Sequence, residues 1–125
     1  MSELVNTVAT FNHDKLIGGV EPAVFTANEV IVSGAGKLSR GRVLGKLTAS
    51  GKLISVDSTK ADGSEKPYGI LAADVDATST DVVAPVYKAG PFNREALTFG
   101  GTDTAAKHED ALRDANIYLT SVKGV

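Results

Sequence analysis

Residues 42–57, RVLGKLTASGKLISVD, have the pattern of two short strands joined by a turn. In the first strand apolar and charged residues alternate, so that Val43 and Leu47 fall on one face. The charges of Arg42 and Lys46 fall on the other face. This alternation is typical of a half-buried strand.

The second strand follows a turn of small and polar residues at 49–52. Over residues 53–57 the apolar side chains of Ile54 and Val56 are in phase with each other. Two segments with this period, separated by a short turn, are typical of a β-hairpin. The stretch therefore predicts a hairpin.

Short extended segments separated by turns continue on both sides of this hairpin. The thirteen glycines and the recurring Val, Ile and Thr favour such an arrangement. Residues 58–67 have no apolar period and predict an exposed loop. Because proline cannot donate a ladder hydrogen bond, Pro85 predicts a strand at an edge or with a bulge. The further predicted strands are 23–27, 29–33, 68–73, 82–88 and 117–122, with turns at 34–36 and 76–81.

Helical structure is expected in the last third of the chain. Residues 103–115 predict one short helix, because small and apolar residues align along one side. We expect Asp103 as its N-cap and Asn116 as its C-terminal stop, and a single helical turn over residues 93–96. The residues of the aligned side are Ala105, His108, Leu112 and Ala115. The predicted fold class is mainly β with a small α content (α+β).

Length and composition indicate one soluble domain. The 125 residues are 42% hydrophobic and 22% charged, which is ordinary for a globular protein. Residues 1–15 contain no glycine or proline and differ in this from the rest of the chain. We expect an N-terminal arm over residues 1–15 and a β-rich domain over residues 16–125.

Charge and cysteine content exclude several classes of function. The net charge is −2, with 13 basic and 15 acidic residues mixed along the chain, so no basic face indicates nucleic-acid binding. The absence of cysteine excludes disulfides, thiolate metal sites and cysteine nucleophiles. No secretory signal and no apolar run of roughly 20 residues is present. We expect no membrane partner and synthesis in a reducing cytoplasm.

No motif predicts catalysis or a cofactor. Residues 34–37, GAGK, lack the first glycine and the following hydroxyl residue of a phosphate-binding loop, because Ile31 and Leu38 stand at those positions. The two histidines are His13, in the arm, and His108, which has no metal-ligating residue four positions away. We expect His108 to pack against the apolar side of the helix.

Three carboxylates, Asp74, Asp76 and Asp81, cluster around one turn. A calcium loop would end on glutamate at the twelfth position, where Pro85 stands. We expect these aspartates to form the turn. The sequence thus predicts no catalytic residue, no cofactor and no metal site.

Four segments carry patterns of one family. They are residues 38–46, LSRGRVLGK; residues 62–72, DGSEKPYGILA; residues 86–93, VYKAGPFN; and residues 111–119, ALRDANIYL. In this order they resemble the head decoration protein D family of lambda-like phages. The resemblance implies a compact β-rich domain of the tulip type and a structural role without enzymatic activity.

The resemblance also implies how such a protein works. Members of the family form trimers at the three-fold and quasi-three-fold positions of the expanded head. They cement neighbouring major capsid proteins on the outer surface against the pressure of packaged DNA. We therefore expect a homotrimer that binds the major capsid protein and is located on the outside of the virion.

The N-terminal arm is the candidate capsid-binding site, since the resemblance implies that the arm faces the capsid. Its apolar residues could add a strand to an exposed capsid edge and fill side pockets. They are Leu4, Val5, Val8 and Phe11.

A different assembly role fits the same composition. Homotrimeric components of phage tails, fibres and baseplates share a β-rich, glycine-rich and cysteine-free composition. Binding to expanded heads, but not to unexpanded ones, would distinguish the two functions.

Overall fold

The computed structural model describes residues 24–120. The described residues form eight strands, one 3-10 turn and one α-helix. The predicted class, mainly β with one short helix near the C-terminal end, is confirmed. The elements are β1 (Phe25–Ile31), β2 (Gly36–Leu38), β3 (Val43–Lys46), β4 (Leu53–Ser55), β5 (Pro67–Leu71), β6 (Val75–Ala77), β7 (Val82–Asn93), the 3-10 turn (Arg94–Ala96), α1 (Ala105–Asp114) and β8 (Ile117–Thr120).

Five of the strands close into a small barrel. Their order is β1-β4-β3-β5-β7, and β1 also pairs with β7, which closes the ring. β1 and β4 are parallel, and the other neighbours in the ring are antiparallel. β8 lies beside the last part of β7 as a parallel neighbour. The hairpin predicted over residues 42–57 is confirmed as β3 and β4.

The first strand is continuous, whereas the sequence predicts two segments at 23–27 and 29–33. β1 pairs with β7 from Phe25 to Ile31. Asn28, which separates the two predicted segments, lies within the strand and is exposed. A polar residue whose side chain points to solvent does not interrupt strand pairing.

β7 is 12 residues long and pairs with β1, β5 and β8. The predicted edge position for residues 82–88 is therefore wrong, but the predicted bulge is present, because the register between β1 and β7 shifts at Lys88. Pro85 lies at the end of the pairing between β5 and β7, where its carbonyl accepts a hydrogen bond from the Ala72 amide at 3.0 Å. Pro85, which has no backbone N–H, thus lies where the pairing between β5 and β7 ends.

Buried side chains form two clusters on opposite faces of the sheet. The first, the interior core, fills the barrel and contains residues from all five of its strands. The ribbon of β2 and β6 adds two residues to it and covers one end of the barrel. The interior core consists of Ile31, Leu38, Leu44, Leu53, Leu71, Ala77, Ala84 and Val86.

The second cluster, the outer core, lies between the outside of the barrel and the elements α1 and β8. Tyr87 packs against its aromatic member Phe92, with 5.1 Å between the ring centroids. Because this layer covers the barrel, β3 and β5 bury side chains on both faces. The outer core consists of Val43, Val56, Ile70, Phe92, Leu97, Leu112 and Ile117.

The two faces of the first hairpin strand alternate as predicted, but the expectation that only one of them is buried is wrong for the same reason. Leu44 is fully buried in the interior core, although it shares a face with the charged Lys46. In the second half of the hairpin Leu53 and Val56 are buried, whereas Ile54 is half-buried. A strand between two cores has no solvated face, so alternation does not mark its buried side.

α1 begins at Ala105. The prediction that Asp103 is the N-cap of this helix is wrong. The N-cap is Thr104, which makes no side-chain capping bond. Asn116 follows the helix as predicted, with a φ of 72° in the left-handed region. The predicted helical turn after β7 is also confirmed, and it is capped by the side chain of Asn93.

The connections agree with the sequence in part. Residues 58–66 form the predicted loop, but Ser64 within it is buried and Pro67 begins β5. The turn predicted at 34–36 is held by a 3.1 Å hydrogen bond from the Ala35 amide to the Val32 carbonyl. The turn predicted at 76–81 begins only after Ala77, because β6 extends to that residue. Within residues 24–120, no helix is long and apolar enough to cross a membrane.

Candidate functional site

The predicted capsid-binding residues lie outside the described residues, and so does His13. The boundary between the arm (1–15) and the domain also stays a prediction. Within residues 24–120, three groups of polar residues are candidates for a functional site. The predicted capsid-binding residues are Leu4, Val5, Val8 and Phe11.

The first group joins the start of α1 to the loop after β4. The Asp103 carboxylate accepts hydrogen bonds from the amide and the hydroxyl of Ser58, both at 2.7 Å. Nε2 of His108 lies at the same distance from this carboxylate. His108 is buried, and its ring stacks on Phe99 with 5.7 Å between centroids. The prediction that His108 packs on the apolar side of the helix is confirmed.

The order of these groups differs from that of a Ser–His–Asp triad. In a triad the histidine lies between the other two, so that it can take the serine proton. Here Asp103 lies in the middle and contacts both Ser58 and His108. Burial alone would raise the pKa of Asp103, but the hydrogen bonds from His108 and Ser58 outweigh it and lower that pKa. The group is therefore a charged structural link between α1 and the barrel.

The second group is formed by the aspartates around the turn predicted at 76–81. Asp74 accepts a hydrogen bond from the Arg40 amide at 2.8 Å. Asp76 accepts bonds from the hydroxyl and the amide of Thr78, and these lower its pKa. Asp81 accepts a bond from the turn before β2. In the part of the chain that the structure describes, no group of three or more His, Cys, Asp or Glu residues could hold a metal ion.

The third group closes the end of the barrel opposite the β2–β6 ribbon. We call it the lysine–tyrosine cluster; it contains one residue from each of β1, β3, β5 and β7. The three charged members each lie two residues from a member of the interior core on the same strand. The side chains of Glu29 and Lys46 therefore project along the face that lines the barrel. Lys88 lies at the bulge and is placed beside them by its bonds to Tyr68 and Glu29. The members are Glu29, Lys46, Tyr68 and Lys88.

Tyr68 is the centre of this cluster. Nζ of Lys88 lies 4.4 Å from the centroid of its ring, and Nζ of Lys46 lies 4.9 Å from it. Lys88 also donates to the Tyr68 hydroxyl at 2.8 Å, and this hydroxyl donates to Glu29 at 3.1 Å. The bond to the hydroxyl raises the pKa of Lys88; burial opposes this effect, and Glu29 adds to it.

The cluster carries two ammonium groups and one carboxylate. Glu29 pairs with Lys88 at 3.3 Å. Lys46 is exposed and makes no ion pair with any residue between 24 and 120. Phe25, the first residue of β1, lies at the same end of the barrel and is 61% exposed. This end therefore combines excess positive charge with an exposed aromatic ring.

Both ends of the described chain lie at this end of the barrel. Val24 precedes β1 and packs beside Gly90 of β7. β8 runs parallel to β7, and its last pair, Asn93 with Thr120, lies further along in the same direction. The chain before Val24 therefore enters the domain on the side of the lysine–tyrosine cluster.

The sequence motifs contact one another and do not line a cleft. The guanidinium of Arg40, in the first motif, donates to the Tyr87 hydroxyl of the third motif at 2.8 Å. It also lies 5.7 Å from the centroid of the Tyr87 ring. Tyr87 in turn packs on Phe92 of the outer core. These motif residues hold the segment before β3 against β7.

The first and second motifs interlock at two glycines. A Cβ on Gly45 would lie 2.5 Å from the carbonyl oxygen of Ser64, and a Cβ on Gly63 would lie 2.5 Å from that of Lys46. Gly63 also has a φ of 105°, a conformation that disfavours any side chain. Ser64 itself is buried and held by Asp62. The loop can lie this close to β3 only with glycine at both positions.

A family model, bacteriophage lambda head decoration protein D, matches residues 6–117 of the chain. The match covers the first three motifs in full, residues 111–117 of the fourth, and all five strands of the barrel. The chain belongs to this head decoration family. Decoration proteins of the family are structural and associate with the phage capsid in the virion. No curated protein matches the chain.

Nothing in the linear pattern singles out the lysine–tyrosine cluster of this decoration protein. Its members are spread over residues 29–88 and meet because β1, β3, β5 and β7 are neighbours in the barrel or contribute to the same end of it. The position of Lys46, two residues after Leu44, indicates the barrel only when the face of Leu44 is known to be buried.

Proposed function

We propose that this decoration protein is a cement protein that binds the outer surface of the expanded phage head. It binds the major capsid protein as a homotrimer, at three-fold and quasi-three-fold positions, and stabilises the shell against the pressure of packaged DNA. The observation that carries the proposal is the family match over residues 6–117. The match also favours the head over a tail, fibre or baseplate.

A cement protein requires a surface that is complementary to the capsid and a rigid body. The described domain supplies the rigid body. Its barrel is closed, and the charged link at Asp103 fastens α1 to the loop after β4. The role needs no reacting group, so we assign no catalytic residue and no cofactor. The protein is synthesised in the host cytoplasm and joins the head from outside.

Attachment runs through the arm, residues 1–15. The backbone of the arm adds a strand to an exposed strand edge of the capsid, and its apolar side chains fill pockets beside that edge. The end of the barrel that receives the chain at Val24 then faces the shell. The side chains that make this contact are Leu4, Val5, Val8 and Phe11.

Trimer formation allows stable attachment even when each single arm binds the capsid weakly. Once one arm is attached, the second and third bind as intramolecular events, so avidity exceeds the affinity of a single arm by about 10²–10⁴. A reversible contact of one protomer thus becomes a lasting contact of three.

Deletion of residues 2–12 tests this proposal. The truncated protein should remain a folded trimer by light scattering and circular dichroism, because the deletion leaves residues 24–120 intact. It should no longer co-sediment with expanded heads assembled without the protein. The expected loss of affinity is at least about 100-fold, because the anchor of every protomer is removed.

A full-length variant separates the length of the arm from its side chains. It carries serine at positions 4, 5, 8 and 11 and should lose binding as the deletion does. Unchanged affinity of either variant would show that the arm is not the anchor. If the wild-type protein binds neither expanded nor unexpanded heads, the capsid function itself is wrong.

A further inference from the structure

We propose that the lysine–tyrosine cluster is a second contact with the shell and binds an acidic segment of the major capsid protein. This inference rests on the proposed function, because that function supplies the partner. It adds a contact made by the folded domain to the contact made by the arm.

The position of the cluster is the first argument. The chain enters β1 at Val24, at the end of the barrel that the cluster closes, and Thr120 leaves the described domain at the same end. An arm bound to the shell holds its point of entry close to the shell. The surface at that point must then contact the capsid or lie just above it.

The charge of the cluster indicates the chemistry of the partner. Its single carboxylate, Glu29, already serves Lys88 and the Tyr68 hydroxyl. The ammonium group of Lys46 lies over the Tyr68 ring and makes no ion pair with a carboxylate of residues 24–120. A partner carboxylate at this position would complete the pairing of charges.

The geometry also lowers the cost of binding. Lys46 is held over the Tyr68 ring, so less side-chain freedom is lost when a partner fixes it. Exposed Phe25 offers an apolar neighbour at the same end of the barrel, and interface cores are enriched in aromatic residues. The fitting segment therefore carries Asp or Glu beside an apolar residue.

Removal or reversal of the charge of Lys46 tests the inference. The variants Lys46→Gln and Lys46→Glu should fold and form trimers as the wild type does, because Lys46 is exposed at the end of β3. Binding to expanded heads at low salt should weaken by about tenfold for Lys46→Gln and by more for Lys46→Glu. The dependence of binding on salt should become weaker, since one screened charge pair per protomer is lost.

Lys107→Glu is the matched control, because Lys107 is exposed on α1 and makes no ion pair within residues 24–120. It changes the net charge equally and should bind heads as the wild type does. Equal binding by Lys46→Glu and Lys107→Glu would overturn the inference. So would a Lys46→Glu protein that becomes monomeric, because the cluster would then contact a second copy of this chain. Failure of wild-type binding would instead remove the proposed function.

Discussion

The interior core and the outer core bury similar side chains but are enclosed in different ways. Each strand around the interior core is hydrogen-bonded to a neighbour on both sides. The outer core is covered by α1 and β8, which are held by four residue pairs between β7 and β8 and by the link at Asp103. The first enclosure is a closed ring. The second is a flap: β8 is paired with β7, Thr98 and Gly100 are hydrogen-bonded to residues 41–56, and α1 between them has no strand partner within residues 24–120.

This difference predicts different modes of opening. A ring cannot release one strand without exposing the whole interior core, whereas a flap can lift while the barrel stays closed. Native proteins open in such units, with free energies that range from near zero to that of global unfolding. The elements α1 and β8 should therefore form a separate, less stable unit.

Two equivalent truncations test the comparison most strongly. Leu44 lies in the interior core and Leu112 in the outer core, and both are fully buried. Each substitution by alanine should lower the free energy of unfolding by about 2–5 kcal/mol. In native-state hydrogen exchange, Leu44→Ala should reduce the protection of all slowly exchanging amides. Leu112→Ala should reduce protection mainly in α1 and β8, and identical patterns would contradict the two-unit description.

The charged link at Asp103 gives a smaller effect, confined to the outer core. Asp103→Asn should lower the free energy of unfolding by about 1–2 kcal/mol, because a charged acceptor of several buried hydrogen bonds is lost. The pKa of Asp103 is lowered by folding, so its charge stabilises the fold above the ordinary value of 3.8. This contribution disappears as the pH falls through the lowered pKa.

Urea denaturation at several pH values measures this difference between wild type and variant. It should be largest at neutral pH and decline in acid. The control is Asp110→Asn, since the Asp110 side chain is 95% exposed and its loss should be nearly neutral. A difference that stays constant into strong acid would assign the effect to packing.

The smallest effect is expected at the polar end of the interior core. Tyr68→Phe keeps the ring beneath both lysines but removes the hydroxyl that joins Lys88 to Glu29. The free energy of unfolding should fall by about 0.5–1.5 kcal/mol. The pKa of Lys88 should move down towards its ordinary value, because that hydroxyl is the main cause of its rise.

An NMR titration of the lysine side chains would measure this pKa directly. Folding raises the pKa of Lys88, so its contribution to stability is present below the ordinary value of 10.5 and is lost as the pH rises through the raised pKa. Lys52, which pairs with Asp81 elsewhere, serves as the internal control. An unchanged pKa of Lys88 in Tyr68→Phe would show that the Tyr68 hydroxyl does not raise this pKa.

Local patterns predicted the elements whose causes are local. The hairpin, the 3-10 turn and the left-handed Asn116 each depend on a few neighbouring residues, and all three are confirmed. The prediction of Asp103 as a cap is wrong because its partner Ser58 lies 45 residues away in sequence. The pattern predicts a half-buried hairpin, but both of its faces are covered by distant parts of the chain. Ring closure by β1 and β7 buries Leu44, and the layer from the end of the chain buries Val43.

The candidate site shows the same difference between features with local causes and features with long-range causes. The four motifs identified the family, yet their residues serve the scaffold: Gly45 and Gly63 permit close packing, and Arg40 joins Tyr87. The lysine–tyrosine cluster could not be predicted because no single strand contains two of its members. The arm residues remain a prediction from composition and resemblance.

The pairing of β1 with β7 has a mechanical consequence. β1 is aligned antiparallel with β7 at seven positions, from Phe25 to Ile31, and the hydrogen bonds of such a pair run across the strands. A pull on the chain before Val24, directed along β1, loads these bonds in parallel as shear. A sideways pull would break them one at a time. For the arm attachment proposed above, tension along the strand would therefore be resisted by all seven aligned pairs together.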